Sequence, residues 1–270
     1  MTSNGQKEMP PVLERYELKY VIPKELIEPI SSFVSTYCSQ DKYSLHTANG
    51  YYKVNTLYLD SSDYVFVRMR MEGAEKRFYM RVRSYGDHPK MPYFLEIKQK
   101  IRNVVRKYRA PVKDGRWHWA YTKPGCELCE ENGNPAEAKN RSLFQRLFFT
   151  YNVSPKLMIQ YLRKAWVSDV DDYARVTFDI DLRFMPETEY NLVPREEEMA
   201  PCDPVAVLEP GYAVILELKC HTSQVPLWMI DMIKYFDLER QSISKYMAGA
   251  TELFGLYRYD AVARVAGTHF

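Results

Sequence analysis

The chain has 270 residues and a formal net charge of +2, so it can bury a sizeable core and is not a broadly basic protein of the kind that coats nucleic acid or a membrane surface. No apolar run approaches the roughly 20 residues of a membrane-spanning helix, and the polar residues 1–11 lack the apolar core of a secretory signal. We expect 1–11 to be flexible, 12–256 to form a single domain and 257–270 to be a tail.

The predicted elements are mostly strands, with helices between them. The strands cover residues 13–22, 51–58, 77–85, 93–101, 104–112, 156–167, 173–182 and 212–220. The helices cover residues 23–38, 63–71, 140–151 and 228–254, the last with a break near 241–244. Segments 113–137 and 186–210 are predicted to be irregular insertions. Eight strands with helices packed outside predict an α+β fold built on a closed antiparallel eight-stranded β-barrel.

Charged and apolar residues alternate along the predicted strands. In the first strand Arg15, Glu17 and Lys19 share one face, because side chains two residues apart point to the same side of a strand. The same spacing groups Arg81 and Arg83; Glu96, Lys98 and Lys100; Lys107 and Arg109; Tyr161 and Arg163; Arg175, Thr177, Asp179 and Asp181; Glu217 and Lys219. The opposite faces of these strands are mainly apolar.

The charged faces have two interpretations. An antiparallel sheet often has one solvated face, and the charges would then serve solubility. If the sheet closes, helices pack on the apolar faces and the charges point into a lumen. Like charges in a narrow lumen need counter-charge, and basic residues outnumber acids, so the simplest missing partner is a polyanion. Arg and Lys favour phosphate oxygens.

The acids on the same faces favour a hard divalent cation. Glu17, Glu96, Asp179 and Glu217 offer carboxylate oxygens, which are the ligands that Mg²⁺ and Mn²⁺ prefer. The sequence therefore indicates a metal ion together with the polyanion.

The five cysteines are scattered along the chain, which favours a reducing, cytoplasmic environment over a disulfide framework. Cys126 and Cys129 form an isolated CxxC pair. Cys202 and Cys220 are not spaced as a second pair, so a structural zinc site is not favoured.

Short motifs along the chain resemble the triphosphate tunnel metalloenzymes of the CYTH superfamily. Glu17-Leu18-Lys19 resembles the ExExK strand of that family, although Arg15 stands where many members carry the first glutamate. Further matching motifs are Arg81-Val82-Arg83, Glu96-Ile97-Lys98, Tyr161-Leu162-Arg163, Arg175-Val176-Thr177, Glu217-Leu218-Lys219 and Ser244-Lys245-Tyr246. The departure at Arg15 makes the chain more similar to the branch typified by the catalytic domain of the vacuolar transporter chaperone (VTC) complex, which makes polyphosphate.

The resemblance implies a role for each matching residue. Phosphates would be neutralised by Lys19, Arg81, Arg83, Lys98, Arg163, Arg175, Lys219 and Lys245. Substrate contacts would come from Arg15, Lys107, Tyr161 and Ser244, the last at a helix start. Glu217 would be the chief ligand of Mn²⁺ or Mg²⁺, with Glu17 or Glu96 assisting. Simpler roles remain open: a lumenal ion pair of Glu217 with Lys219, a plain helix start at Ser244, and orientation of Arg163 and Arg175 by Asp179 and Asp181.

The activity implied by the resemblance is that of a metal-dependent polyphosphate polymerase, which transfers the terminal phosphate of ATP to a growing polyphosphate chain and releases ADP. ATP and inorganic polyphosphate would be its partners, without nucleic acid. A hydrolase of inorganic or nucleoside triphosphate and a non-catalytic polyphosphate-binding module are the alternatives. Arg15 argues against the hydrolase and Glu217 against the pure binding module. Since no membrane segment is predicted, translocation of the product would need a membrane partner protein.

Overall fold

The computed structural model describes residues 12–123, 134–171, 173–201, 214–222 and 224–255. Outside these residues lie segment 1–11, which is predicted to be flexible, the predicted tail 257–270, and the cysteines Cys126, Cys129 and Cys202.

Strands dominate the described part of the chain. They are β1 (Val12–Ile22), β2 (Cys38–Gln40), β3 (Tyr52–Asp60), β4 (Lys76–Tyr85), β5 (Tyr93–Ile101), β6 (Val104–Val112), β7 (Ser154–Ser168), β8 (Ala174–Pro186), β9 (Ala200–Pro201) and β10 (Val214–His221). The helices are α1 (Ile27–Val34), α2 (Lys42–Leu45), α3 (Val65–Met71), α4 (Trp119–Thr122), α5 (Pro135–Thr150), α6 (Leu227–Tyr235) and α7 (Lys245–Phe254), with short 3-10 turns at Lys24–Leu26 and Glu196–Glu198. No helix in the described ranges is both long enough and apolar enough to cross a membrane.

Eight of the strands close into a ring. Every neighbouring pair is antiparallel, in the order β7, β3, β4, β5, β6, β1, β10, β8 and back to β7. The short strands β2 and β9 add to β7 and β8 outside this ring. The predicted closed eight-stranded antiparallel barrel is therefore confirmed.

The apolar faces of the strands point outward and carry the helices. On β8, Val176 and Phe178 are fully buried on the outside, where β1, β8 and β10 pack against α1 and α6. A second apolar cluster joins β3, β4 and β5 to α3 and α5, and a third seats α7 on β7. Because the outer faces are used for packing, the charged faces lie inside the barrel.

The helix predicted over 23–38 is shorter than expected. It ends at Val34, and Cys38 already begins β2, which pairs with β7. A three-residue strand is too short to show an alternating pattern, so the sequence gives no signal for it. The helix predicted over 140–151 is instead longer, because Asn134 caps its N-terminus by accepting a hydrogen bond from the Ala136 backbone N–H at 2.9 Å.

The segments predicted as insertions belong in part to the core. Trp117 in the first segment is 1% exposed, and Leu192 in the second is 4% exposed. Both lie in the apolar cluster that covers β3, β4 and β5. Irregularly spaced aromatic and aliphatic residues can pack against the outside of the barrel. Because they follow no regular period, a pattern-based prediction does not identify them as core residues.

A β-bulge interrupts the alternation on β8. Gln160 pairs with Arg183 and Leu162 with Ile180, so β8 carries one extra residue at this point. Asp181 lies in the bulge with φ of 50° and forms an ion pair with Arg183 at 3.0 Å. The alternation predicted to place Asp181 beside Asp179 is therefore wrong, because a bulge shifts the phase of the strand.

Candidate active site

The inner faces of the barrel strands enclose a cavity of about 1890 Å³, which we call the tunnel. Its lining includes every site residue predicted from the sequence except Glu96: Arg15, Glu17, Lys19, Arg81, Arg83, Lys98, Lys107, Tyr161, Arg163, Arg175, Glu217, Lys219, Ser244 and Lys245. The structure thus brings these residues together from seven strands and the start of α7. Their individual roles remain predictions.

Glu217 stands at the middle of a ring of cations. Its carboxylate oxygens lie 2.6 Å from Lys219 Nζ, 3.1 Å from Lys245 Nζ, 3.4 Å from Lys19 Nζ and 3.5 Å from Arg163 Nη2. Burial opposes ionisation of Glu217, yet the surrounding ammonium groups, Lys219 first, keep its pKa well below the usual value. One carboxylate therefore faces four cations in a buried space, which leaves a local excess of positive charge.

Asp179 supports the same ring from β8. It accepts two hydrogen bonds from Arg163, at 2.6 and 2.7 Å, and lies 2.7 Å from Lys245 Nζ. The bidentate geometry fixes the guanidinium plane. Asp179 thus orients Arg163, whereas Arg175 pairs with Asp41 at 2.8 Å.

Glu17 forms a second, smaller centre on β1. It accepts hydrogen bonds from Arg15 at 2.7 and 3.0 Å and forms a close ion pair with Lys98. Burial works against its ionisation, but the charges of Lys98 and Arg15 hold its pKa well below normal. Arg15 therefore helps to neutralise the Glu17 carboxylate. A glutamate at position 15 would instead repel that carboxylate.

Glu96 lies on the inner face of β5 but is covered by neighbouring side chains, so it does not line the tunnel cavity. Its side chain is completely buried, and its carboxylate pairs with Arg81 at 2.8 Å and with Lys107, while Arg109 Nε lies at 3.4 Å and Arg83 Nη1 at 3.9 Å. An enclosed carboxylate with four cationic neighbours acts as their counter-ion. These ion pairs occupy the Glu96 carboxylate, and the metal role predicted for it stays a prediction.

Burial lowers the pKa of several tunnel lysines, among them Lys107, whose pKa lies well below the usual value. Burial lowers the pKa of Lys219 to about 7, although Glu217 counteracts it. Burial likewise lowers the pKa of Lys98 to about 8 against the effect of Glu17. The protein therefore holds these ammonium groups in surroundings where a further anion would be strongly stabilising.

The start of α7 delivers two residues into the tunnel. Ser244 caps the helix by accepting a hydrogen bond from the Met247 backbone N–H at 3.3 Å, and Lys245 reaches Glu217 and Asp179. Lys19 Nζ donates to the carbonyl of Ile243 at 2.8 Å, which ties the segment to β1. The helix N-terminus adds partial positive charge to a site that already holds cations.

Tyr161 lines the tunnel as a platform for cations. It is 2% exposed, and the charged groups of Arg163 and Lys245 lie 5.2 and 4.9 Å from its ring centroid. The ring packs against these side chains and restricts their positions.

The carboxylates of the tunnel fit a divalent ion only in part. Within the residues described, no three His, Cys, Asp or Glu side chains form a group that could hold a metal ion. Mg²⁺, however, is commonly bound by one or two carboxylates while substrate phosphates complete its coordination. Glu217 and Glu17, which both line the tunnel, match that smaller requirement.

Sequence reasoning missed Asp41. This residue caps α2, accepts a hydrogen bond from the Tyr52 hydroxyl at 3.2 Å and pairs with Arg175. It follows a three-residue strand, so no alternation placed it on the tunnel face. An aspartate that begins a short helix was the signal that could have identified it.

A closed antiparallel barrel with a buried, cation-rich tunnel defines a tunnel-type protein that handles phosphate. The sequence model of the VTC domain matches residues 14–254. The chain therefore belongs to the VTC domain family. A search of curated proteins finds no match.

Three solved structures are similar to this chain at low sequence identity. A candidate adenylate cyclase from Bacillus halodurans is 9% identical, with a TM-score of 0.48, and the alignment covers 87% of this chain and 96% of that one. A candidate adenylyl cyclase from Hippeastrum, with a dominant triphosphatase activity, is 13% identical with a TM-score of 0.45 and coverage of 91% and 96%. The Mimivirus capping enzyme triphosphatase is 7% identical with a TM-score of 0.32 and coverage of 83% and 89%.

Proposed function

We propose that this protein is a metal-dependent phosphotransferase that extends inorganic polyphosphate with the terminal phosphate of ATP. The observation that carries the proposal is the ring of four cations within 3.5 Å of Glu217. Such a ring suits the dense charge of adjoining phosphates, because phosphoryl transfer depends on positioning and on neutralising charge. Membership of the VTC domain family supports the same assignment.

The proposed reaction requires no covalent enzyme intermediate. A terminal oxygen of the polyphosphate chain attacks the γ-phosphorus of ATP, and the bond from that phosphorus to the oxygen bridging it to the β-phosphate breaks. ADP leaves with this oxygen, and the chain is longer by one phosphate. Lys219, Lys245 and Arg163 would stabilise the charge on the transferred group, while Arg81 and Arg83 would hold the adjoining phosphates.

The acids have a defined part in this scheme. Glu217 partly balances the charge of the four cations before substrate binds, and phosphate oxygens would replace it as their partner. The carboxylate of Glu217 would then be available, with Glu17, to hold Mg²⁺ or Mn²⁺. When bound, the ion would supply Lewis-acid stabilisation of the phosphate charge.

The test of the proposal is a product analysis. Purified protein is incubated with ATP and either Mn²⁺ or Mg²⁺, and the products are resolved by gel electrophoresis and ³¹P NMR. Long-chain phosphate together with ADP supports the polymerase. Orthophosphate without chains would instead identify a triphosphate hydrolase, and tight polyphosphate binding without turnover would identify a binding module.

A residue test addresses Glu217 itself. We expect Glu217→Gln to abolish metal-dependent turnover while tripolyphosphate still binds, because the cations remain and lose only their internal competitor. The matched control is Glu75→Gln, which changes an exposed glutamate that pairs with Arg102 at 3.5 Å. Thermal unfolding with and without tripolyphosphate verifies that the variant is folded. Unchanged turnover in Glu217→Gln would refute the role assigned to it.

A further inference from the structure

One end of the tunnel carries a second group of cations, which we call the Arg70 mouth. It consists of Arg70, Arg77, Lys100 and Arg240, all of which line the tunnel. Arg70 comes from α3, Arg77 from β4, Lys100 from β5 and Arg240 from the loop before α7. Four separate elements therefore direct positive charge to the same opening.

Within the described ranges, the cations of this mouth have no carboxylate partner. Arg70 donates to the backbone carbonyl of Ser242 at 3.3 Å and to its hydroxyl, and Arg77 donates to the Ala74 carbonyl at 2.5 Å. Lys100 and Arg240 form no ion pair with any residue in these ranges. The mouth thus differs from the interior of the tunnel, where Glu217, Asp179, Glu17 and Glu96 neutralise the cations.

The four side chains are close enough to repel one another. Partial burial and then the charges of Arg77, Arg70 and Arg240 lower the pKa of Lys100. Partial burial and the charge of Arg70 likewise lower the pKa of Arg77. A cluster of this kind is stabilised by any anion that spans it.

We propose that the Arg70 mouth is a binding site for linear polyphosphate, which engages the part of the chain that extends beyond the phosphates held around Glu217. The inference rests on the function proposed above. It adds that the protein distinguishes long phosphate chains from triphosphate by means of this mouth.

The geometry favours a continuous, unbranched chain. Lys98 and Lys100 lie on the same face of β5, roughly 7 Å apart along the strand, so a polyanion held by Lys98 inside the tunnel meets Lys100 next. Arg77 is the cross-strand partner of Lys100. A single line of phosphates can therefore pass from the interior cations to the mouth without a gap in positive charge.

The aromatic residues at this mouth argue against nucleic acid as the occupant. Single strands are usually held by bases that stack on available aromatic faces. Phe78 packs against Phe66 and Tyr151, and Tyr79 packs edge-on against Tyr246. Because both rings pack against other aromatic side chains, neither is a free platform on which a base could stack.

The test compares ligands of one chemistry and different length. Equilibrium binding is measured for tripolyphosphate, a size-fractionated long linear polyphosphate and an oligodeoxythymidylate, with the wild type and the double variant Lys100→Met, Arg240→Met. The control is Lys24→Met, Lys234→Met, which removes two exposed charges that do not line the tunnel.

We expect the mouth variant to bind long polyphosphate about tenfold more weakly, with tripolyphosphate affinity unchanged within about twofold. The slope of log affinity against log salt for the long chain should also become shallower by at least about one. The control variant should behave as the wild type.

Three results would overturn the inference. If the mouth variant binds long polyphosphate as tightly as the wild type, the Arg70 mouth is not a binding site for the chain, and the proposed function is unaffected. An equal loss of tripolyphosphate affinity would mean that these residues act on the interior site. Tighter binding of the oligodeoxythymidylate that depends on Lys100 and Arg240 would identify nucleic acid as the occupant. If the wild type binds neither phosphate ligand, the proposed function itself is refuted.

Discussion

The centre of the tunnel and the Arg70 mouth both concentrate cations, but they balance charge differently. Around Glu217, Lys219 and Lys245 are buried and Lys19 and Arg163 are partly buried, and each of the four lies near a carboxylate, since unpaired charges in a low-dielectric space are very unfavourable. At the mouth Arg240 is exposed and water screens the charges. The centre is therefore preorganised before a ligand arrives. The cations of the mouth have no carboxylate partner among the described residues, and a bound anion would supply their counter-charge.

Removing a central cation should have the largest effect on activity. We expect Lys245→Met to lower kcat/KM for phosphotransfer by about 100- to 1000-fold, because the ammonium group would stabilise the transferred phosphate. The control is Lys234→Met on the outer helix α6. Steady-state rates with both variants check this, and a loss below about tenfold for Lys245→Met would mean that the centre is no more sensitive than the mouth.

Neutralising the buried counter-ion should have the largest effect on stability. We expect Glu96→Gln to lower the free energy of unfolding by about 3 to 5 kcal/mol, because four cationic side chains lose their shared partner. Glu75→Gln, at an exposed ion pair, should cost about 1 kcal/mol or less. Denaturant unfolding measures both, and equal effects would contradict the assignment of Glu96. Tripolyphosphate should partly restore the variant, since it supplies negative charge to nearby tunnel cations.

The buried Glu96 carboxylate should make the stability of the protein depend on pH. Burial opposes ionisation of Glu96, but Lys107 and the arginines hold its pKa well below normal. The stability that it contributes is therefore complete above its unfolded pKa of about 4.3 and is lost as pH falls through the lower folded pKa. We expect the stability gap between wild type and Glu96→Gln to narrow toward about pH 3. A gap that stays constant with pH would contradict the low pKa.

The smallest effect is expected at Asp41, where a carboxylate competes with phosphate for Arg175. Asp41→Asn keeps an acceptor for the helix cap but removes the charge. We expect tripolyphosphate to bind about two- to fivefold more tightly. Calorimetric titration checks this against Asp63→Asn, which changes an exposed aspartate outside the tunnel. Weaker binding would show that Asp41 positions Arg175 instead of competing for it.

Much of the tunnel could be predicted from the sequence because a strand has a two-residue period. Arg15, Glu17 and Lys19 had to share a face, and the apolar faces had to pack outside. Closure of the ring was the inferred step, and the strand pairing confirms it.

The remaining properties of the tunnel could not be predicted, because they do not follow the two-residue period of a strand. The bulge at Asp181 reverses the phase of β8, and Asp41 enters the tunnel from a loop. Glu96 has the spacing of a tunnel residue, yet it is enclosed by the arginines and lysine of neighbouring strands. Whether a carboxylate meets solvent or is covered by longer side chains depends on their conformations, which a one-dimensional pattern does not contain.

The strand order has a consequence for biogenesis. The last barrel strand along the chain, β10, inserts between β1 and β8. Until residues 214–221 have been synthesised, both of those strands keep an unpaired edge, and such edges are templates for intermolecular pairing. Joining the first strand to the last is also a slow, long-range event. We therefore expect the nascent chain to be most prone to aggregation just before its final strand leaves the ribosome.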